Sequence, residues 1–276
     1  MMARFGRSLS SEWRKVTATK TWWILALVFL GYAAMMAAPF AFLYGEIAGQ
    51  GTGAAALTDT AALTVYSTTA TFGYVIPLVF GALAATNELR HGTLGVTFAI
   101  EPRRGIVLAG KAAALAIVGA ILALAGLFGA VGAGVPVLAY NDVPTLLAEG
   151  GTWGLFLRVA VAIAMWAIIG FGVGLIVKNQ AFAIVLAIGF TQFIEPVLRI
   201  GAQAWEWSAT LGKFLPGAAM DSFVGASALN DMAATDPSMP EMNASLGMGA
   251  GFGVLAAYAV VSCAIGWVLR LRADVD

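Results

Sequence analysis

Side chains able to do chemistry are scarce in this chain, and they crowd into residues 87–111, NELRHGTLGVTFAIEPRRGIVLAGK, which hold Glu88, Arg90, His91, Glu101, Arg103, Arg104 and Lys111. The run from Gly105 through Gly110 to Lys111 matches the first seven positions of a GxxxxGK phosphate-binding loop, in which backbone N–H groups cradle phosphates and the lysine reaches their outer oxygens. Such a loop needs Ser or Thr next, to hold Mg²⁺, and a buried strand before it. Here Ala112 follows, and after it a long apolar run. The stretch is therefore not expected to bind ATP itself.

Other chemistries fare no better. One histidine, His91, and one cysteine, Cys263, cannot assemble the usual zinc ligand sets. A Ser-His hydrolase working inside the bilayer would need His91 to reach a serine in a span, yet His91 stands beside Arg90 and no GxS-type motif falls in an apolar run. Ion-coupled carriers place ionisable groups within their spans. The candidates here, Arg158, Glu195 and Arg199, lie near the outer ends of apolar runs and are read as charges reaching the interface. Cys263 lies inside an apolar run, where it packs as a small hydrophobe.

The elements that must position the charged stretch are membrane spans. Of 276 residues, 60% are hydrophobic and 11% charged, against about 45–50% and about 25% in soluble proteins. The expected architecture is all-α: a polytopic membrane protein with six transmembrane helices in a single domain over residues 1–276, its spans near 22–43, 64–86, 112–138, 155–177, 181–197 and 248–269. The first run carries no charge and, at about 1.5 Å per residue, covers roughly 33 Å, enough for a hydrocarbon core of about 30 Å. It is too long for a cleaved signal and is read as a retained helix.

Around the spans, four segments stand out. The first twenty residues place Phe5, Leu9, Trp13 and Val16 on one helical face among five cations, which predicts a helix lying in the membrane interface; the alternative is a flexible basic leader. Span two has Pro77 near its centre and a polar outer half, in which Ser67, Thr68 and Thr71 either bond backbone carbonyls and a neighbouring helix or line a pathway between subunits. Gly119, Gly126, Gly129, Gly132 and Gly134 in span three predict close helix packing. Residues 195–246 are too polar to span and too rich in Trp and Phe for a solvated loop, which predicts short helices at or dipping into the outer surface before span six.

Orientation follows from the cations. With both termini and residues 87–111 inside, Arg4, Arg7, Arg14, Lys15, Lys20, Arg90, Arg103, Arg104, Lys111, Lys178, Arg270 and Arg272 are cytoplasmic, and only Arg158, Arg199 and Lys213 fall outside.

A basic amphipathic start with Glu12-Trp13-Arg14-Lys15, six spans, Glu88 closing the second, Gly92-Thr93-Leu94, then Pro102-Arg103-Arg104 and Lys111 before the third: this combination resembles the permease subunit of ABC-2-type ABC transporters. The resemblance covers the whole chain in layout, through motifs that are individually short. It implies a cytoplasmic coupling helix between spans two and three that docks on a separate ATP-binding subunit, with Glu101, Pro102, Arg103 and Arg104 at the contact and Glu88 and Thr93 at the hinge leading to it. It also implies a transport subunit without its own catalytic residues, cofactor or metal; ATP and Mg²⁺ in the partner; and a second permease copy or paralogue completing the dimer. A plasma-membrane location and outward transport follow from the same likeness, and no nucleic-acid partner is expected. Two other classes remain open: a non-transporting scaffold or sensor that recruits a cytoplasmic partner, and an intramembrane enzyme. Alternatively, Arg103 and Arg104 hold anionic lipid.

Overall fold

Hydrophobic runs of this length satisfy every backbone hydrogen bond within themselves only as helices, and the computed structural model is all-α; it describes residues 2–49, 55–93, 95, 97, 103–202, 206–235 and 245–271. The chain begins with α1 (Met2–Thr17), α2 (Thr21–Gly49), α3 (Ala55–Thr71), α4 (Val75–Arg90), α5 (Arg104–Tyr140) and α6 (Gly150–Val177). Next, α7 (Gln180–Gly189) passes through a π-helical turn at Phe190–Ile194 into α8 (Glu195–Ala202). The short helices α9 (Glu206–Gly212), α10 (Pro216–Val224) and α11 (Ala228–Thr235) precede α12 (Met248–Gly266), which ends in a π-helical turn at Trp267–Leu271.

Among the described residues six segments are long and apolar enough to cross a membrane: Thr21–Ala48, Thr60–Arg90, Arg104–Tyr140, Gly150–Val177, Gln180–Ala202 and Met248–Leu269. The second is the centre of the bundle. Its most apolar stretch is 78% buried, against 22%, 22% and 17% for the first, fifth and sixth, whose exposed Leu, Val, Ile and Phe side chains face outward. That placement accounts for its polar composition, since its hydroxyls meet other helices rather than lipid.

Three differences from expectation bear on the site. Span two is not one helix. It breaks at residues 72–74, so that Pro77 falls in the first turn of α4, where a missing N–H costs little. The break seats Gly73 so closely on the Phe29 ring and the Thr69 carbonyl that a Cβ there would collide. Span three begins at Arg104, eight residues before the expected 112, so Arg104 and Lys111 belong to the first turns of α5 and not to a loop. Span five carries the π-helical turn just before Glu195.

Close backbone approach holds the centre together. A Cβ at Gly81 of α4 would strike the Ala167 carbonyl of α6, and one at Gly170 of α6 would strike the Leu78 carbonyl of α4. Gly119, Gly126, Gly129 and Gly134 of α5 are similarly covered by α6, α2 and α3, whereas Gly132 faces open space. Trp166, Tyr66, Phe29 and Phe171 fill the remaining interior with fully buried rings.

Candidate functional site

At the basic end of the bundle, α1 lies across the start of α5 and the end of α4. Its Leu9, Glu12, Trp13 and Val16 face inward while Arg4, Arg7 and Arg14 face out. Ser8 sits over Gly110, where a Cβ would leave no room for it. The two residues that gave the sequence its nucleotide-loop look therefore serve a helix contact: Gly110 admits α1, and Lys111 pairs with it.

Lys111 donates to Glu12 Oε2 and, at 2.5 Å, to Glu88 Oε1. Lys15 donates to Glu12 Oε1 at 2.6 Å, Glu88 Oε1 at 3.3 Å and the Thr97 hydroxyl at 3.3 Å. Two ammonium groups and two carboxylates thus form a neutral cluster joining α1, α4 and α5, with Lys111 and Glu12 almost wholly buried. Burial by itself would lower the Lys15 ammonium, but its hydrogen bond to Glu12 and the Glu88 and Glu12 charges outweigh that and hold it above its ordinary value. Glu88 Oε2 is buried without a hydrogen-bond partner among the described residues.

Of the other residues expected at this loop, Thr93 lines a cavity together with Glu88 and Lys111. Thr93 is exposed, and its carbonyl accepts from the Thr97 hydroxyl at 3.0 Å. Arg103 immediately precedes α5 and is exposed; Arg104 opens α5 and is half-buried. Glu101 and Pro102 lie outside the described residues. His91 ends α4, exposed, with Nδ1 2.8 Å from the Asn87 carbonyl oxygen. Glu12, Lys15 and Lys111 carried no site expectation from the sequence. A signal existed for Glu12: it is the single acid of a basic leader, three residues after Leu9 and four before Val16 on the apolar stripe, where a carboxylate needs a partner.

A second polar network lies toward the other end. Arg199 donates to Asp221 Oδ2 at 2.7 Å, and Asp221 also accepts from Ser227 at 2.7 Å and Thr71 at 3.0 Å. Glu195 accepts from the Tyr74 hydroxyl at 2.9 Å and from the Gly217 N–H. Glu195 is 0% exposed and Arg199 6%, which corrects their reading as interfacial charges. They turn inward because α10 inserts beside α12 and α6 as far as Trp166, whose indole N–H meets Met220 Sδ at 3.0 Å, and brings Asp221 and the free N–H at its own start. Arg158 remains partly exposed and donates to the Val224 carbonyl at 2.8 Å. Asp231 on α11 accepts from Thr64; burial pushes its carboxyl up, and the Thr64 bond opposes this.

The hydroxyls proposed from the sequence are all buried. Ser67 donates to the Thr64 carbonyl at 2.8 Å, Thr68 to the Val65 carbonyl at 2.6 Å, and Thr71 to Asp221. Each is enclosed by this chain's own helices. No group of three or more His, Cys, Asp or Glu among the described residues is arranged to hold a metal.

No protein-family model matches the chain, and no curated protein matches it. The six long apolar helices stand as the deciding observation. The chain is a polytopic membrane protein.

Proposed function

We propose that this polytopic protein is the transmembrane permease subunit of an ABC-2-type transporter in the plasma membrane, exporting its substrate by the work of a separate ATP-binding subunit. The observation that carries the reading is the tie between α1, the end of α4 and the start of α5 through Glu12, Lys15, Glu88 and Lys111. ATP-driven movement of a soluble partner does work on a membrane helix only through a stiff connection. Here both helices that flank residues 91–103 are braced at their ends by a buried, hydrogen-bonded cluster rather than left to fray. In this reading Glu101, Pro102, Arg103 and Arg104 meet the partner, Glu88 and Thr93 form the base of the lever, and a second permease chain completes the complex. ATP and Mg²⁺ belong to the partner.

The test is co-purification of the chain with the ATP-binding subunit from the host membrane. Reversing the charges in Arg103→Glu/Arg104→Glu is expected to weaken that association and to uncouple ATP hydrolysis from transport, while the protein still inserts. Association and ATP-dependent transport unchanged in the double variant would sink the coupling assignment.

A further inference from the structure

An amphipathic helix in the membrane interface ordinarily sinks its apolar stripe into lipid. In α1 that stripe is taken by the protein itself: Trp13 and Val16 pack on the bundle, and Glu12, the one acid of the first twenty residues, turns inward onto Lys111. What α1 presents outward is its polar side, an open groove of about 600 Å³ lined by Arg7, Ser10, Ser11, Arg14, Lys15 and Ala18. Ser11 stands four residues after Arg7 and three before Arg14, so the three share one helical face, and all three are exposed. Lys15 is engaged by Glu12 and Glu88, whereas neither Arg7 nor Arg14 takes part in an ion pair among the described residues. Two permanently charged guanidinium groups and two hydroxyls, with no carboxylate in the lining, are the chemistry of a phosphate site.

We propose that this outward face of α1 binds the phosphate of an anionic phospholipid headgroup, of the phosphatidylglycerol type, through Arg7, Arg14 and the serine hydroxyls between them. The level of α1 along the bundle argues for a lipid as the source. Residues 18–20 alone separate it from α2 and span at most about 14 Å. Beyond Lys20, α2 carries no charge until Glu46, and it opens with Trp22 and Trp23, the second of them 43% exposed, as suits a side chain at the edge of the hydrocarbon. On α5, the uncharged stretch begins immediately after Lys111, and on α4 it ends at Glu88. Lys111 and Glu88 are the residues that α1 pairs with, so α1 lies against the flank of the bundle where the uncharged parts of three helices stop, which is the headgroup level. Cations at that level are drawn to anionic lipid. With the acids of this end spent on Lys15 and Lys111, nothing in the groove offsets that attraction.

The proposal does not rest on the permease reading. The protein is reconstituted in nanodiscs with equal phosphatidylglycerol and phosphatidylcholine of matched acyl chains, and retained lipid is counted by native mass spectrometry. Phosphatidylglycerol is expected to be retained in preference, and that preference to fall about fivefold with each of Arg7→Gln and Arg14→Gln. Both side chains are exposed and outside the ion cluster, so the variants keep the fold. Arg90→Gln/Lys178→Gln, which removes two exposed cations elsewhere on the chain, is expected to leave the preference intact. Equal retention of the two lipids overturns the proposal, as does a preference unchanged in Arg7→Gln/Arg14→Gln. An equal fall in the Arg90→Gln/Lys178→Gln control would make net charge, and not the groove, the cause. Displacement of the lipid by an equal concentration of soluble glycerol phosphate would assign the groove to a free phosphate ester. Loss of a co-purifying protein from Arg7→Gln/Arg14→Gln with lipid retention unchanged would assign it to an acidic protein surface. Each of these three results also overturns the proposal.

Discussion

Lys111 illustrates how a single residue changes meaning with its surroundings. In the sequence it follows Gly110 and closes a phosphate-loop pattern; in the structure it sits between Glu12, 99 residues away, and Glu88. A buried ion pair adds little over an apolar replacement of both partners, but removing one partner strands the other's charge. Lys111→Met leaves Glu12 and Glu88 with only Lys15, and is expected to cost about 3–5 kcal/mol. Thermal unfolding of the detergent-solubilised protein measures this. Adding Glu12→Gln to the same variant is expected to cost less than the two changes summed, because the stranded carboxylate is gone; strict additivity would mean that the two residues do not interact. Glu195, Arg199 and Asp221 teach the same lesson. Their types were plain in the sequence, and so were short helices dipping in over residues 195–246, but whether these side chains snorkel or turn inward depends on where the nine-residue α10 comes to rest.

At the scale of elements, the break in span two and the glycine contacts decide how the bundle closes. Gly81 and Gly170 lie on facing helices, and each accepts the other helix's backbone where a Cβ would sit. Gly81→Leu must separate α4 from α6, with loss of the dispersion contacts made at that crossing, and overpacking of this kind costs typically about 1–3 kcal/mol or more. The expected outcome is a lower melting temperature and a broadened size-exclusion profile. Gly132→Ala, on the same helix type but facing open space, is expected to leave both unchanged, and an equal loss in the two variants would show that glycine content rather than close approach sets the stability. The helical start of α5 belongs at this scale too. Loop reasoning assigned residues 104–111 to the charged connection because they carry Arg104 and Lys111, yet those charges find partners or solvent from within a helix once α1 covers it.

For the whole molecule, the cation count predicts that both termini and residues 87–111 are cytoplasmic, and the architecture makes this directly testable. The single native thiol, Cys263, is buried, so background labelling is low. In intact cells a membrane-impermeant maleimide is expected to label Tyr140→Cys, at an 89% exposed position at the end of α5, and to spare Arg90→Cys at the end of α4 until the membrane is opened. The reverse pattern would invert the orientation and with it the cytoplasmic assignment of the charged loop.

The amino-acid pattern alone determined the fold class, the number of long apolar helices and the amphipathic start, because crossing a membrane demands a run of about twenty apolar residues, and that demand is one-dimensional. It also located the charged connection and the odd polar half of span two. Only the tertiary structure decided what those features meet. The Lys111–Glu12 pair spans 99 residues, Thr71–Asp221 spans 150 and Tyr74–Glu195 spans 121. Such partners are chosen by which helix faces pack together, and a burial pattern that is apolar on every side of a helix does not reveal which face turns inward.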